Sequence, residues 1–406
     1  MNVLVFNCGS SSLKYRMIAM PDERELCSGE AQRVGPPTAE PARIVHRTDG
    51  REEIVEVDMP DHSVAFDEVM KLLTRETRLV PDAFGHRMVH GGTLFAEATV
   101  ADDVVVAQLE TIAHLAPLHN PPAMKLLHAC REKRGDLPQV CVFDTAFHAT
   151  IPDYAATYAL PRGLREKLGL RKYGFHGTSH EYVVEEAATF LDKPVGELNA
   201  VSCHLGSGGV SLCAVVQGRS VDNTMGYSPL QGLVMSTRCG DLDPAVTLSF
   251  LRQADGRTEP VEKLLNKQSG VLGLSGVSAD IRDVFADIGA GGGGTRTGLA
   301  AQVYLWRMRK YLGAYLTVVG DVDAVIFTDT IGETVPLVRW TVCTDMDAFG
   351  LKMDAAKNAR VTSASQLPAD LSTPDSAVRI LAIATNEELA IARRTYAALT
   401  GATTTR

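Results

Sequence analysis

Histidine, arginine and acidic residues gather beside glycine in five short stretches of this chain. They are GHRMVHGG (85–92), APLHNPP (116–122), VFDTAFHATIP (142–152), YGFHGTSH (173–180) and STRCGDLDP (236–244). Each stretch by itself has a structural explanation, because a single histidine or arginine more often serves the core or an ion pair. Together they supply the cations and hydrogen-bond donors that phosphoryl transfer needs, since charge spreads over the oxygens of the transferring group.

Two Gly/Ser turns between β-rich runs are candidates for holding phosphate. Residues 2–17 read NVLVFNCGSSSLKYRM and residues 200–215 read AVSCHLGSGGVSLCAV. Each pattern predicts a hairpin whose tip exposes backbone N–H groups and small hydroxyls. Their positions near the start of each half of the chain favour two similar domains, although two unrelated hairpins would give the same pattern.

Strands and helices alternate along the rest of the chain, which is typical of α/β domains. Helices are predicted at 123–134, 182–191, 299–316 and 386–399, and a buried strand at 322–327 is predicted to end in a turn at Gly332. The pattern breaks near 149–160. We therefore expect one domain at 1–149, completed by the C-terminal segment 386–406, and a second at 150–385.

The glycine-rich run GAGGGGTRTG (289–298) follows a helix-like segment and lacks the lysine of a phosphate-binding P-loop. It is interpreted as a surface connection.

The composition favours a cytoplasmic enzyme. The 406 residues are 45% apolar and carry a net charge of −9, which argues against nucleic acid as a partner. No apolar run approaches the ~18 residues of a membrane helix, and no secretory signal is expected. None of the eight cysteines forms a CxxC pair, so we expect buried, reduced thiols.

Seven stretches, which together span almost the whole chain, resemble the acetate kinase family in order and spacing. They are NCGSSSLKY, GHRMVHGG, FDTAFHATIP, YGFHGTSH, DNTMGYSPLQGLVMSTRCGDLDPAV, SGVLGLSGVSADIRDV and TNEELAIAR. The resemblance implies an α/β fold of two duplicated ribonuclease-H-like (actin-like ATPase) domains around a central cleft, and a homodimer. The implied reaction is reversible, in-line transfer of a phosphoryl group to acetate, giving acetyl phosphate.

The resemblance also implies the residues that handle acetate. Arg87 would bind the carboxylate, for which a guanidinium is well suited. His119 would support this site, and Val89 would contact the methyl group. Asp144 would be an essential acidic residue that orients Arg87 or Arg238.

For the phosphoryl group, the resemblance implies that His176 and Arg238 stabilise charge in the transition state. Asn7 and Glu387 would help hold Mg²⁺ or Mn²⁺, through water. The remaining phosphate- or nucleotide-binding residues would be Ser10, Ser12, Lys14, His204, Gly206, Ser207, Gly208, Asp280, Arg282, Gly332 and Glu333.

Four residues close in sequence to these predicted site residues are interpreted as structural. His180 would support His176 from one helical turn away, and Glu388 would be solvated or paired within its helix. His86 and His90 would shape the loop around Arg87.

The segments that would line a nucleotide depart from the usual family pattern. The chain has HLGSGGVS for HLGNGAS, FTDTIGET for FTGGIGEN, PLQG for PLEG and STR for GTR. Asp329 and Thr330 thus replace two glycines where the purine and α-phosphate would pass, and Asp329 brings negative charge towards a polyanion.

These substitutions resemble a less common branch of acetate kinases that uses pyrophosphate and phosphate in place of ATP and ADP. We therefore expect pyrophosphate as donor ahead of ATP, although Lys14 and the segment 280–282 follow the ATP-type pattern. The alternatives are an ordinary ATP-dependent acetate or propionate kinase, or a non-catalytic sensor of acetyl phosphate or nucleotide.

Overall fold

A computed structural model of the protein describes residues 1–9, 11–36, 39–75, 79–117, 119–292 and 296–402. The chain divides into two compact units, each containing one β-sheet. The first unit comprises Met1–Ala149, Gly177–Ser179 and Asn386–Arg406, and the second comprises Thr150–His176 and His180–Thr385. Within the described ranges, no helix has the length and apolar character needed to cross a bilayer.

The first unit contains a sheet of eight strands. These are β1 (Asn2–Cys8), β2 (Ser12–Ala19), β3 (Arg24–Gln32), β4 (Arg43–Thr48), β5 (Arg51–Glu56), β6 (Ala83–Met88), β7 (Thr99–Val100) and β8 (Gln139–Phe143). They lie in the order β5-β4-β3-β2-β1-β6-β8-β7. Strand β1 pairs antiparallel with β2 and parallel with β6, which in turn pairs parallel with β8. The carboxyl ends of β1, β6 and β8 therefore meet at one edge of the sheet.

Four helices belong mainly to the first unit: α1 (His62–Leu73), α2 (Asp103–Ile112), α3 (Asn120–Lys133) and the C-terminal helix (Glu387–Thr400). The C-terminal helix packs against β1, β6 and β8. A Cβ atom on Gly85 of β6 would lie only 2.6 Å from Thr395 Oγ1. Glycine at this position therefore permits the close approach that brings the start of this helix to the sheet edge.

The second unit contains a sheet of six strands. These are β9 (Ala200–Leu205), β10 (Val210–Val216), β11 (Arg219–Asn223), β12 (Ala324–Thr328), β13 (Ala369–Asp370) and β14 (Arg379–Ala382), in the order β11-β10-β9-β12-β14-β13. Strand β9 pairs antiparallel with β10 and parallel with β12, and β12 pairs parallel with β14. The series β11-β10-β9-β12-β14 thus repeats β3-β2-β1-β6-β8 of the first unit, which confirms the predicted duplication.

The helices from residue 153 to residue 360 are α4 (Asp153–Ala156), α5 (Arg162–Leu168), α6 (Gly177–Phe190), α7 (Pro244–Gln253), α8 (Thr258–Lys267), α9 (Gly270–Ser275), α10 (Ile281–Asp287), α11 (Arg296–Val319), α12 (Asp329–Thr334), α13 (Pro336–Cys343) and α14 (Ala355–Arg360). The predicted turn at Gly332 is wrong, because α12 starts directly after β12 and contains this glycine. Of the glycine-rich run at 289–298, residues 289–291 are exposed, and residues 293–295 lie outside the described part of the chain. All eight cysteines are free thiols.

Candidate active site

Arg87 is the centre of a charged cluster in the first unit. It lies near the end of β6, and Asp144 follows the end of the neighbouring strand β8. Arg87 donates from Nε to Asp144 Oδ1 at 3.2 Å and from Nη2 to Asp144 Oδ2 at 2.6 Å. The Asp144 side chain is only 2% exposed. Two parallel charge-assisted hydrogen bonds therefore fix the plane of the Arg87 guanidinium.

Asn7 and Glu387 complete this cluster from β1 and from the first turn of the C-terminal helix. Arg87 Nη1 donates to Asn7 Oδ1 at 3.1 Å and lies 3.5 Å from Glu387 Oε2, and Asn7 Nδ2 donates to the same carboxylate at 3.4 Å. Burial would lower the pKa of Arg87, but the charges of Asp144 and Glu387 raise it further than burial lowers it. The guanidinium therefore remains cationic at any physiological pH.

Thr178 supports Asp144 and was missed by the sequence reasoning. Its Oγ1 donates to Asp144 Oδ1 at 2.9 Å, and the Gly177 backbone N–H donates to the Asp144 carbonyl oxygen at the same distance. A Cβ atom on Gly177 would lie 2.1 Å from that carbonyl oxygen, so only glycine fits. The stretch YGFHGTSH was singled out for its histidine, and nothing local indicated that its threonine reaches a residue 34 positions earlier.

Two histidines lie close to Arg87 in the sequence, and burial keeps both of them neutral. His86 and His90 are 2% and 0% exposed, and burial lowers the pKa of each to about 4. His86 Nε2 lies 2.8 Å from Gln139 Oε1, and His90 Nδ1 accepts from the Gly92 backbone N–H at 2.9 Å. These contacts agree with the interpretation that both residues shape the structure around Arg87.

The sequence predicted five further site residues in the first unit: Val89, His119, Ser12, Lys14 and Ser10. Val89 is half-buried, one residue beyond the end of β6, and His119 is exposed, directly before α3. Ser12 begins β2, where the Gly9 backbone N–H donates to its carbonyl oxygen at 2.9 Å, and Lys14 is exposed opposite Asn7 in the hairpin. Ser10 lies outside the described residues.

The oxygen donors of Asn7 and Glu387 suit a hydrated divalent cation. Within the described ranges, no three His, Cys, Asp or Glu side chains are grouped closely enough to hold a metal ion. Mg²⁺ usually keeps several waters and is bound through one or two carboxylates together with substrate phosphates. One carboxylate and one amide therefore fit a metal that is shared with substrate, and they do not fit a closed structural site.

In the second unit, Arg238 and His176 converge on the hairpin between β9 and β10. Arg238 donates from Nη2 to the Gly208 carbonyl at 3.1 Å and from Nη1 to the Pro229 carbonyl at 2.9 Å. A Cβ atom on Gly209 would lie 2.8 Å from Arg238 Nη2 and 3.4 Å from His176 Nε2. Burial lowers the pKa of Arg238, yet arginine stays charged, and no described carboxylate forms a salt bridge with it.

His176 is held by a buried polar network. It adopts a left-handed backbone conformation (φ 58°) directly before α6, and its Nδ1 lies 2.8 Å from Ser211 Oγ. Its ring stacks on His204 with a centroid distance of 4.1 Å. His180 Nε2 also lies 2.8 Å from Ser211 Oγ, which agrees with the interpretation that His180 supports His176.

Asp329 contacts His204 across the second unit. It is the first residue of α12, has φ of 60°, and places Oδ2 at 3.0 Å from His204 Nε2. Burial would raise the pKa of Asp329, but the hydrogen bonds from His204 and Thr330 lower it well below 3.8. A Cβ atom on Gly206 would lie 2.6 Å from Asp329 Oδ2, so the carboxylate lies directly against the second hairpin.

Glu333 fixes the backbone of the segment that carries Asp329. Its Oε1 accepts from the backbone N–H groups of Asp329 and Thr385, both at 2.9 Å. Burial and the charge of Asp329 raise its pKa. Thr330 donates from its backbone N–H at 2.5 Å and from its hydroxyl at 2.7 Å, both to Asp329 Oδ1.

A small cavity adjoins the segment predicted to bind a nucleotide. A cavity of about 10 Å³ is lined by Gly206, Ser207, Val210, Ser236, Val271, Ala279, Asp280, Ile281, Tyr304 and Ile331. That volume holds about one water molecule. Asp280 caps α10 and pairs with Arg282, whose Nη2 lies 2.5 Å from Asp280 Oδ2; this pairing lowers the pKa of Asp280.

Comparisons with known proteins cover nearly the whole chain. The model of the acetokinase family matches residues 2–393. The chain is 45% identical to the acetate kinase of Clostridium novyi (strain NT) over 401 residues, covering 97% of this chain and 98% of the relative. A crystal structure of Porphyromonas gingivalis acetate kinase superposes with a TM-score of 0.89 at 37% identity, covering 98% of this chain and all of that one. A propionate kinase from Francisella tularensis also superposes with a TM-score of 0.89, at 35% identity, covering 97% of this chain and 99% of its own.

Proposed function

Because this chain belongs to the acetokinase family, and is thus a kinase that transfers phosphate to a carboxylate, we propose that its acceptor is acetate and its product acetyl phosphate. The observation that carries this proposal is the arrangement around Arg87. Asp144 occupies the Nε–Nη2 side of the guanidinium and Asn7 takes one N–H of Nη1. Of five N–H donors, one on Nη1 and one on Nη2 form no hydrogen bond with the described residues, although Glu387 Oε2 lies 3.5 Å from Nη1, and this end suits a two-oxygen carboxylate.

His176 and Arg238 are proposed to stabilise the phosphoryl group during transfer. An acetate oxygen forms a bond to phosphorus while the bond from phosphorus to the bridging oxygen of the donor breaks, and the donor leaves as phosphate or a nucleoside diphosphate. Charge accumulates on the transferring oxygens in this step. The support is the convergence of both side chains on Gly209 and the absence of a described carboxylate partner for Arg238.

A kinase of this family needs a divalent metal, and we propose Mg²⁺ or Mn²⁺ held through water by Asn7 and Glu387. When bound, such an ion neutralises charge on the donor phosphates. Asn7 and Glu387 also contact Arg87. The same two side chains would therefore orient the acetate-binding arginine.

For the donor, we propose pyrophosphate in preference to ATP. The support is local: Asp329 is an ionised carboxylate that lies directly against Gly206 of the second hairpin, where it would face a polyanionic donor.

ATP is the alternative donor, and the comparisons favour it over pyrophosphate. Relatives at 44–46% identity over nearly the whole chain are named acetate kinases, and these names do not mention pyrophosphate. Asp280 and Arg282 also match the ATP-type pattern.

The decisive experiment measures acetyl phosphate turnover with Mg²⁺, using phosphate in one assay and ADP in the other. Formation of pyrophosphate from phosphate alone is the expected result. Formation of ATP from ADP alone would overturn the donor proposal and leave an ATP-dependent acetate kinase. Turnover with neither would favour the sensor, and repeating the assays with propionyl phosphate tests the propionate kinase alternative that the Francisella neighbour supports.

A variant tests whether Asp329 and Thr330 restrict the donor. Replacing both with glycine should raise kcat/KM for ADP about tenfold or more, because it removes one like charge and two side chains beside the hairpin. The matched control is Asp255→Gly, since Asp255 is an exposed aspartate with a similar left-handed φ of 52° between α7 and α8. Equal ADP use by all three folded proteins would contradict the role of Asp329.

The homodimer implied by the family resemblance is also a proposal. Size-exclusion chromatography with light scattering should give about 87 kDa, twice the 43.7 kDa of the chain.

A further inference from the structure

A chain of four side chains runs through the interior of the second unit and ends at His176. Ser202 Oγ on β9 lies 2.8 Å from His180 Nδ1, His180 Nε2 lies 2.8 Å from Ser211 Oγ on β10, and Ser211 Oγ lies 2.8 Å from His176 Nδ1. Ser202, Ser211 and His180 are all 0% exposed. These three side chains are shielded from bulk solvent, so the direction of each hydrogen bond has consequences for the next.

Ser211 couples the two imidazole rings because a hydroxyl has only one hydrogen. It lies between a nitrogen of His176 and a nitrogen of His180, and it can donate to only one of them. It must therefore accept a hydrogen bond from the other. A neutral imidazole likewise has one N–H and one unprotonated nitrogen, so the tautomer of one histidine determines the tautomer of the other.

The direction of the chain follows from what His176 must do. If His176 donates to a phosphoryl oxygen from Nε2, which rests on the function proposed above, its Nδ1 must be an acceptor while the ring is neutral. Ser211 then donates to His176 Nδ1 and accepts from His180 Nε2–H. His180 Nδ1 in turn accepts from the Ser202 hydroxyl, and all three contacts are satisfied.

We propose that Ser211 and His180 are positioning residues that hold His176 in the Nε2–H tautomer. The stacking of His204 on His176 orients the ring plane, but stacking does not distinguish between the two nitrogens. The hydrogen bond between Ser211 Oγ and His176 Nδ1 does make that distinction. The pairing of β10 with β9 places Ser211 directly opposite His204, whose ring stacks on His176.

The tautomer is measured directly by ¹⁵N NMR of the histidine side chains in the full-length protein, with His176 assigned from the signals lost in His176→Gln. The expected result is a protonated Nε2 and an unprotonated Nδ1 in the wild-type protein. Ser211→Ala should produce a mixture of tautomers. Its kcat should fall about tenfold at an unchanged KM for acetate, the equivalent of one hydrogen bond in the transition state.

Two further variants separate positioning from folding. Ser220→Ala removes another serine that is 0% exposed in the same sheet, and it should leave both the His176 tautomer and kcat unchanged. Ser211→Thr keeps a hydroxyl and should restore the Nε2–H form and most of kcat.

Protonated Nδ1 on His176 in the wild-type protein would overturn the proposal, and so would an unchanged tautomer in Ser211→Ala. These NMR outcomes do not depend on turnover. A wild-type protein with the expected tautomer and no kinase activity would therefore count against the proposed reaction and in favour of the tautomer assignment.

Discussion

The two arginines proposed to act in the reaction are held by opposite kinds of partner. In the first unit, Arg87 forms a two-point pair with the Asp144 carboxylate and lies 3.5 Å from the Glu387 carboxylate. In the second unit, Arg238 donates to the carbonyl oxygens of Pro229 and Gly208.

This difference indicates different tasks for the two guanidinium groups. Carboxylates compensate the charge of Arg87 and make it rigid, which suits an anchor for a singly charged acid such as acetate. Carbonyl dipoles orient Arg238 without cancelling its charge, which suits a group that must stabilise the greater negative charge of a transferring phosphoryl group.

The largest expected effect is that of Arg238→Ala. We expect kcat to fall about 10³-fold, or roughly 4 kcal/mol, because an uncompensated cation beside the developing charge is lost. The KM for acetate should change little. Steady-state kinetics with acetate varied at saturating donor measures both quantities. An unchanged kcat with a raised KM would contradict the proposed difference in task between Arg238 and Arg87.

Arg339, like Arg238, donates to backbone carbonyl oxygens, but it lies in the core and also donates to a side-chain amide. It is 0% exposed, and it donates to the carbonyl oxygens of Gly332, Glu333, Asn358 and Val361 and to Asn358 Oδ1. Burial lowers its pKa to about 10.

Arg339→Met would leave these buried acceptors without a donor and should lower the free energy of unfolding by about 3 kcal/mol or more. The matched variant is Arg309→Met, because Arg309 also donates to three backbone carbonyls but is only partly buried; it should cost about 1 kcal/mol. Urea unfolding of both proteins gives the two values. Equal losses would show that burial does not determine the contribution of a carbonyl-bound arginine.

Asp144→Asn tests the carboxylate-paired arginine. The asparagine keeps the shape of the side chain but removes the charge that pairs with Arg87, so the guanidinium should become less well oriented. We expect kcat/KM for acetate to fall about 30-fold, or roughly 2 kcal/mol. The KM for the phosphoryl donor should stay within about twofold. If the variant changed only the KM for the donor, Asp144 would act on the donor and not on acetate.

The smallest expected effect concerns the Asp329 carboxylate, which lies 3.0 Å from His204 Nε2. Because the folded-state pKa of Asp329 is lowered, its contribution to stability is present above the ordinary value near 3.8 and is lost as pH falls through the folded-state pKa. Between about pH 5 and pH 3, thermal stability should therefore fall more in the wild-type protein than in Asp329→Asn. Parallel pH profiles of the two melting temperatures would contradict the lowered pKa of Asp329.

The sequence predicted the parts of this protein that depend on local patterns. The two hairpins, the alternation of strands and helices, and the long helix now seen as α11 (Arg296–Val319) all follow from periodicity and from glycine-containing turns. The turn expected at Gly332 was wrong, because α12 (Asp329–Thr334) starts directly after β12 and contains this glycine. Thr178, Ser211 and Arg339 were missed, since each acts on a residue that no local pattern connects to it.

By itself, the sequence determined the duplicated α/β architecture and the family, because strand patterns, turns and motifs are properties of neighbouring residues. Only the tertiary structure decided which charges are compensated and which are not. Asn7 meets Glu387 across 380 residues, Arg87 meets Asp144 across 57, and His176 meets Ser211 across 35. Electrostatic and hydrogen-bond partners are defined by distances of about 3 Å in space, and separation along the chain carries no information about those distances.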